Sequence, residues 1–287
     1  MRIKLVVAYD GTDFSGWELQ HQRRTVRGTL TEAVRLVSDE AVEIEGSSRT
    51  DAGAHAKGQV CHFDPAPGGN ASRVPPDRWP EILNRVLPPD LVVRRASVVS
   101  ERFHSRFSVT HRHYLYRLHV GERDPHRNRF VYRHWEGLDV DAMREGARLL
   151  IGTHDFRAFT EELEPRVTNT VRHLFDVKVT PVRDEVRVDV VGTAFLRGMM
   201  RRMVGGLFEI GRGHRDVVEV SKLLDPQERD EIDQPVVLPA RGLCLMNIRY
   251  DRALRDVRDR PLVPRPLASG PTSEIDTPLQ SILENDP

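Results

Sequence analysis

Ile3, Leu5 and Val7 alternate with Lys4 and Val6, the period-two spacing of a strand, and Asp10-Gly11-Thr12 supplies the turn that ends it. Apolar positions then recur at helical spacing through Val26, Leu30, Val34 and Val37, which predicts an amphipathic helix. Residues 59–63 read as a strand leaving a Ser/Gly-rich loop. Trp79, Ile82, Leu83, Val86 and Leu87 predict a second helix closed by Pro88-Pro89, and residues 91–99 read as extended. In residues 113–120, Tyr114, Tyr116, Leu118 and Val120 share one face of a strand, with Leu115, Arg117 and His119 on the other.

The pattern restarts after a basic loop at 122–133. Met143, Ala147, Leu150 and Ile151 mark a helix that Asp139 or Asp141 can cap. Phe175, Val177 and Val179 alternate, Arg183-Asp184 turns, and Val186, Val188 and Val190 form the return arm of a hairpin. Leu196, Met200, Met203 and Leu207 predict a helix with Gly211 as its stop, and residues 244–250 supply a last strand. Helices mixed with hairpins in both parts indicate an α+β fold, with two similar halves sharing one sheet. The expected division is 1–110, 111–250 and a Pro-, Ser- and Asp-rich tail at 251–287 that is expected to be poorly ordered.

Composition narrows the class. The 287 residues fit one large domain or two ordinary ones, with 39% hydrophobic residues to build a core. The two cysteines form no CxxC pair and no metal framework, and their scarcity suggests a reduced, cytoplasmic compartment. The N-terminus lacks the features of a signal peptide, and no apolar run reaches the ~18 residues of a membrane span. Charge balances at 43 basic against 43 acidic residues, which at first sight argues against a nucleic-acid partner. The distribution is uneven, however. Residues 94–133 hold ten Arg against Glu101, Glu122 and Asp124, and residues 195–215 hold five Arg against Glu209. The basic residues comprise 39 Arg and four Lys, a bias that suits phosphate recognition and is also produced by base composition.

Three segments could carry chemistry. In residues 46–56, small residues surround Arg49 and Asp51, so a ligand can approach the backbone closely between two charged groups. Asp51 could instead cap a turn, and His55 could pair with it as an acid–base couple or be structural. The second is the strand with Tyr114 and Tyr116 behind Arg106 and Arg112, where basic and aromatic residues interleave as in nucleic-acid grips. The third is the Met-rich helix bearing Arg201 and Arg202, whose apolar face reads as core and whose arginines call for a carboxylate partner.

Together these segments resemble the tRNA pseudouridine synthase A family from about residue 3 to residue 250. The matching strings, in order, are YDGTDFSGW, TVRGTL, SSRTDAGAHAKGQVCHFD, LNRVLPPDLVV, FHSRFSVTHRHYLYR, GTHDFRAF, TAFLRGMMRRMVGGLFEIGRG and LPARGLCL. The resemblance implies a mixed, largely antiparallel sheet with helices, in two halves around a central cleft. It also implies a homodimer acting on tRNA, with no metal or organic cofactor. The implied reaction converts uridine to pseudouridine at positions 38–40 of the anticodon stem-loop. The family's catalytic carboxylate falls on Asp51, its substrate-binding aromatic on Tyr114 and its supporting arginine on Arg201. Burial disfavours an ionised carboxylate, and a paired guanidinium restores it. The target base must leave its stack, with Arg49 filling the gap or binding the adjacent phosphate, and Arg23, Arg24 and Arg106 are further expected tRNA contacts. Ser48 stands where the family usually has Gly, and Glu18 where it usually has Gln. Two readings of other classes are a non-catalytic RNA-binding module of the same fold and a hydrolase built on Asp51 and His55.

Overall fold

Alternation at the N-terminus becomes β1 (Arg2–Tyr9), where Ile3, Leu5 and Val7 are wholly buried and Arg2, Lys4 and Val6 are half-buried. The computed structural model describes residues 1–160 and 169–250, so the predicted tail lies outside the described residues. Helix α1 (Val26–Ser38) starts where the Thr25 side chain accepts the Gly28 N–H, and it ends on Asp39 in the left-handed conformation. A two-residue bridge, β2 (Glu45–Gly46), pairs with β3 (His55–Phe63); α2 (Asn70–Arg73) and α3 (Trp79–Asn84) lead into β4 (Leu91–Val99). Helix α3 is shorter than the apolar spacing predicts. The Asn84 side chain pairs with β4 instead, donating to Val93 O at 2.9 Å and accepting from Val93 N at 2.8 Å, and the next three residues close as turns.

Strand β5 (His111–His119) opens the second half, followed by the bridge β6 (Tyr132–Arg133) and α4 (Val140–Leu149). Asp139, not Asp141, caps α4, accepting from the N–H groups of Asp141 and Ala142. Then come β7 (Gly152–Asp155) and the hairpin of β8 (Val171–Val182) and β9 (Glu185–Gly192). Helix α5 (Met199–Gly211), α6 (Val218–Leu224) and β10 (Leu243–Arg249) complete the order. Gly211 is not the stop residue of α5. It is still helical and is there for close packing, since a Cβ would meet Met143 Sδ at 2.8 Å; the left-handed turn falls on Gly213.

The strands form one sheet in the order β4-β1-β3-β10-β5-β9-β8-β7, with β2 attached beside β3 and β6 beside β5. All pairings are antiparallel except β3 with β10 and β5 with β6. The fold is therefore α+β, as expected. Strands from the first hundred residues occupy one end of the sheet, those from residue 111 onward the other, and β3 meets β10 at the seam. Helix α3 packs on β4 and contacts α1, whereas α4 packs on β8 and α5. Each fully buried side chain in these layers, such as Leu5, Phe63 and Leu118, contributes about 1.5–3 kcal/mol of transfer free energy. Among the described residues no helix is long and apolar enough to cross a membrane.

Candidate active site

The loop from Ser47 to Ala54 joins β2 to β3 at the seam, and the YDGTDFSGW segment is moulded around it. Trp17 N–H donates to Thr50 O at 3.1 Å, Gly53 N–H donates to Phe14 O at 3.3 Å, and the hydroxyls of Tyr9 and Thr50 lie 2.7 Å apart. Two glycines make this fit sterically necessary. A Cβ on Gly11 would sit 1.9 Å from Ala54 O, and one on Gly16, whose φ is +91°, would sit 2.8 Å from Thr50 O. From the other side Gln59, wholly buried, donates to Ser48 O at 2.5 Å and accepts from Ser48 N–H at 3.3 Å. The loop is therefore fixed along its length before any side chain reaches a ligand.

Asp51 does not cap a turn. Its Oδ2 accepts from Arg201 Nε at 2.9 Å, and Oδ1 accepts nothing among the described residues. The two side chains are 28% and 16% exposed, so the pair lies in a cleft open to solvent on one side. Arg201 is on the first turn of α5, where its carbonyl accepts from Leu238 N–H and its guanidinium donates to Leu238 O, both at 3.4 Å. Tyr114 is buried on β5, with its hydroxyl 2.6 Å from Ser48 Oγ and its ring edge-on to Phe195 at 5.0 Å. Burial pushes this phenol above its ordinary value, outweighing the Ser48 hydrogen bond, so it stays neutral. Three elements far apart in sequence thus bring Asp51, Arg201 and Tyr114 to one place.

His55 is turned to another use. Its Nδ1 accepts from Gly11 N–H at 3.0 Å and its Nε2 donates to Arg129 O at 2.9 Å, while the ring packs on Phe130. Burial lowers its proton affinity despite nearby Asp10. It is a neutral structural histidine, and the hydrolase reading loses its base.

The other expected arginines are placed unequally. Arg49 Nε donates to Glu18 Oε2 at 3.1 Å. The Arg24 guanidinium forks onto both oxygens of Asp90, at 2.8 and 2.7 Å, and lies 3.9 Å over the Phe14 ring. Arg23 is exposed, and Arg106 is exposed above the Phe107 ring. The basic stretch 94–133 is less free than its local excess suggests. Arg117 and Arg127 bind Glu185, and Arg129 binds Asp10 and Asp13 at 3.1 and 2.8 Å. Their acids are distant in sequence, which a local count misses.

A family model described as tRNA pseudouridine synthase matches residues 5–108 and 147–251. A tRNA pseudouridine synthase A of Anoxybacillus flavithermus is 39% identical over 251 residues, covering 87% of this chain and 99% of that one. Those of Maridesulfovibrio salexigens and Bacillus subtilis are 38% and 34% identical, covering 87% and 88% of this chain and 90% and 100% of theirs. The chain belongs to the tRNA pseudouridine synthase family. It is accordingly an enzyme, an isomerase of the pseudouridine synthase class.

Two features of the site escape sequence reasoning, the partner of Ser48 and the role of Gln59. Ser48 replaces the usual Gly without adopting positive φ, and it supplies the hydroxyl that meets Tyr114. Gln59 could have been noticed as the amide flanked by Gly58, Val60 and Cys61 in a strand whose residues are buried except at Lys57. Among the described residues, no group of three His, Cys, Asp or Glu side chains is placed to hold a metal ion.

Proposed function

We propose that the protein isomerises uridine to pseudouridine in tRNA, at positions 38–40 of the anticodon stem-loop, with Asp51 as the catalytic carboxylate. The 2.9 Å bond from Arg201 to Asp51, beside Tyr114, carries this reading. The reaction breaks N1–C1′, turns the uracil and forms C5–C1′, and the proton displaced from C5 is balanced by one gained at N1. It needs no redox partner and no energy donor. Arg201 fixes the carboxylate through Oδ2, which leaves Oδ1 to attack C1′ or to take the 2′ proton. The neutral Tyr114 ring holds the freed base by stacking while it turns. Arg49 enters the space the flipped base leaves. Arg23 and Arg106 contact the RNA backbone, and Arg24, whose fork is taken by Asp90, offers it only the outer edge of its guanidinium.

The test is to incubate wild type and Asp51→Ala with unmodified tRNA and map pseudouridine in the anticodon arm. Wild type should modify positions 38–40 and the variant should lose about 10²–10⁴-fold in rate. Undiminished modification by Asp51→Ala would overturn the assignment.

A further inference from the structure

Arg106, Arg112 and Arg172 converge from the loop before β5, from β5 and from β8. Arg112 is 8% exposed, and its guanidinium donates to Thr193 O at 2.6 Å, Ser47 O at 3.0 Å and Arg106 O at 3.4 Å. It pairs in register with Gly192, which pairs with Leu174, two residues along β8 from Arg172. Arg172 is half-buried, donates to the carbonyls of Asn169 and Val171 at 2.9 and 2.7 Å, and has a buried Nε without a partner. Among the described residues none of the three is in an ion pair. The carboxylate that reaches Arg172 electrostatically, Asp155, is bound by Arg229 at 2.6 Å.

Buried cations are normally paired, because carbonyl dipoles solvate a guanidinium without neutralising it. Here burial pushes Arg112 and Arg172 below the ordinary arginine value, with the charge of Arg106 adding to the effect on Arg112 and that of Arg112 to the effect on Arg172. By contrast Arg215, whose side chain is 6% exposed, is given two acids, Glu209 and Glu219, so a group of three without an acid beside the cleft marks a place for a charge from outside. The group lies next to the site: Arg112 bonds Ser47, the neighbour of Ser48, and stands two residues, about 7 Å, from Tyr114 on the same face of β5.

We propose that Arg106 and Arg172, above a floor made by Arg112, form a phosphodiester subsite for the tRNA strand next to the nucleotide held at Tyr114. The subsite rests on the tRNA reading above and names the linkage that reading leaves open. The Arg112 fork is spent on three carbonyls, so it supplies positive charge and fixes the floor, while the two rim arginines make the contacts.

Binding of unmodified tRNA should be followed by fluorescence anisotropy across a KCl series for wild type, Arg172→Gln, Arg106→Gln and the exposed Arg148→Gln on α4. Each rim variant should flatten the slope of log K against log[KCl] by about 0.7–0.9, the value of one released counterion, and should weaken binding several-fold at 0.1 M KCl. Arg148→Gln should keep the wild-type slope. Removing an unpaired cation should leave the melting temperature of Arg172→Gln unchanged or raised, whereas a purely structural arginine would lower it. Wild-type slopes in both rim variants, or a lowered melting temperature with an unchanged slope, would overturn the subsite. Stabilisation of wild type by inorganic phosphate without a slope change in the variants would assign the group to a free anion and equally overturn it. Failure of wild type to bind or isomerise tRNA at all would instead refute the functional reading.

Discussion

The hydroxyls of Ser48 and Tyr114 lie 2.6 Å apart in a buried setting, so each satisfies the other. Truncating Ser48 to Ala leaves the Tyr114 hydroxyl with one bond fewer at about 1 kcal/mol, which predicts a three- to five-fold fall in kcat/KM with tRNA binding unaltered. Steady-state kinetics on unmodified tRNA, with anisotropy for binding, checks this, and a change in binding alone would place Ser48 in RNA contact instead. The same hydroxyl shows the limit of reading single residues from sequence. The strings around Asp51, Tyr114 and Arg201 made those three legible by resemblance. Spacing alone could not say that a carboxylate and a guanidinium 150 residues apart would meet, nor that Ser48 would find a partner 66 residues away. His55 misled for a converse reason. Its distance from Asp51 suits a couple, but the fold spends both ring nitrogens on backbone groups.

Helix α5 carries Arg201 to the cleft, and its placement depends on close backbone approach further along. A Cβ on Gly205 would lie 1.8 Å from the Val236 carbonyl oxygen, a contact that only movement of the helix or of the strap over it can relieve. Gly205→Ala should therefore cost about 3 kcal/mol or more in urea unfolding and reduce activity further than the remaining stability accounts for, because Arg201 moves with the helix. A fully active, equally stable variant would show that the strap yields freely. At this scale the sequence was a good guide wherever periodicity ran long: β1, α1, β5, the β8–β9 hairpin and α5 were all expected. It failed at ends and in short pieces. The two-residue bridges β2 and β6 have no period to detect, the seven residues of α6 make barely two turns, and α3 stops early where the Asn84 side chain ties the chain to Val93 of β4.

Across the whole molecule, acids and bases of equal number include many that pair over long distances in sequence. Glu185, 2% exposed, gathers Arg117, Arg127 and Arg187 from β5, the loop beyond it and β9. Burial alone would raise its carboxyl, but the three arginines outweigh burial and hold it at about 2, against an ordinary 4.5. Because the folded value is the depressed one, the stabilisation is complete above pH 4.5 and fades as pH falls toward 2. Glu185→Gln should be less stable than wild type by on the order of 2 kcal/mol at pH 7, with the difference narrowing below pH 4.5 in urea titrations at fixed pH. A pH-independent difference would mean that shape, not charge, sets the cost. The seam of the sheet bears on biosynthesis. The strand that joins β3 to the second half of the sheet, through Cys244 opposite His55 and Leu245 opposite Ala56, is made almost 190 residues after it. On the ribosome, the Asp51 loop and the Phe14–Trp17 segment and Gln59 that pack it therefore emerge long before Arg201 and β10. On the proposed reading, a growing chain passes most of its synthesis without a complete site, which forms only when β10 closes a loop of almost 190 residues.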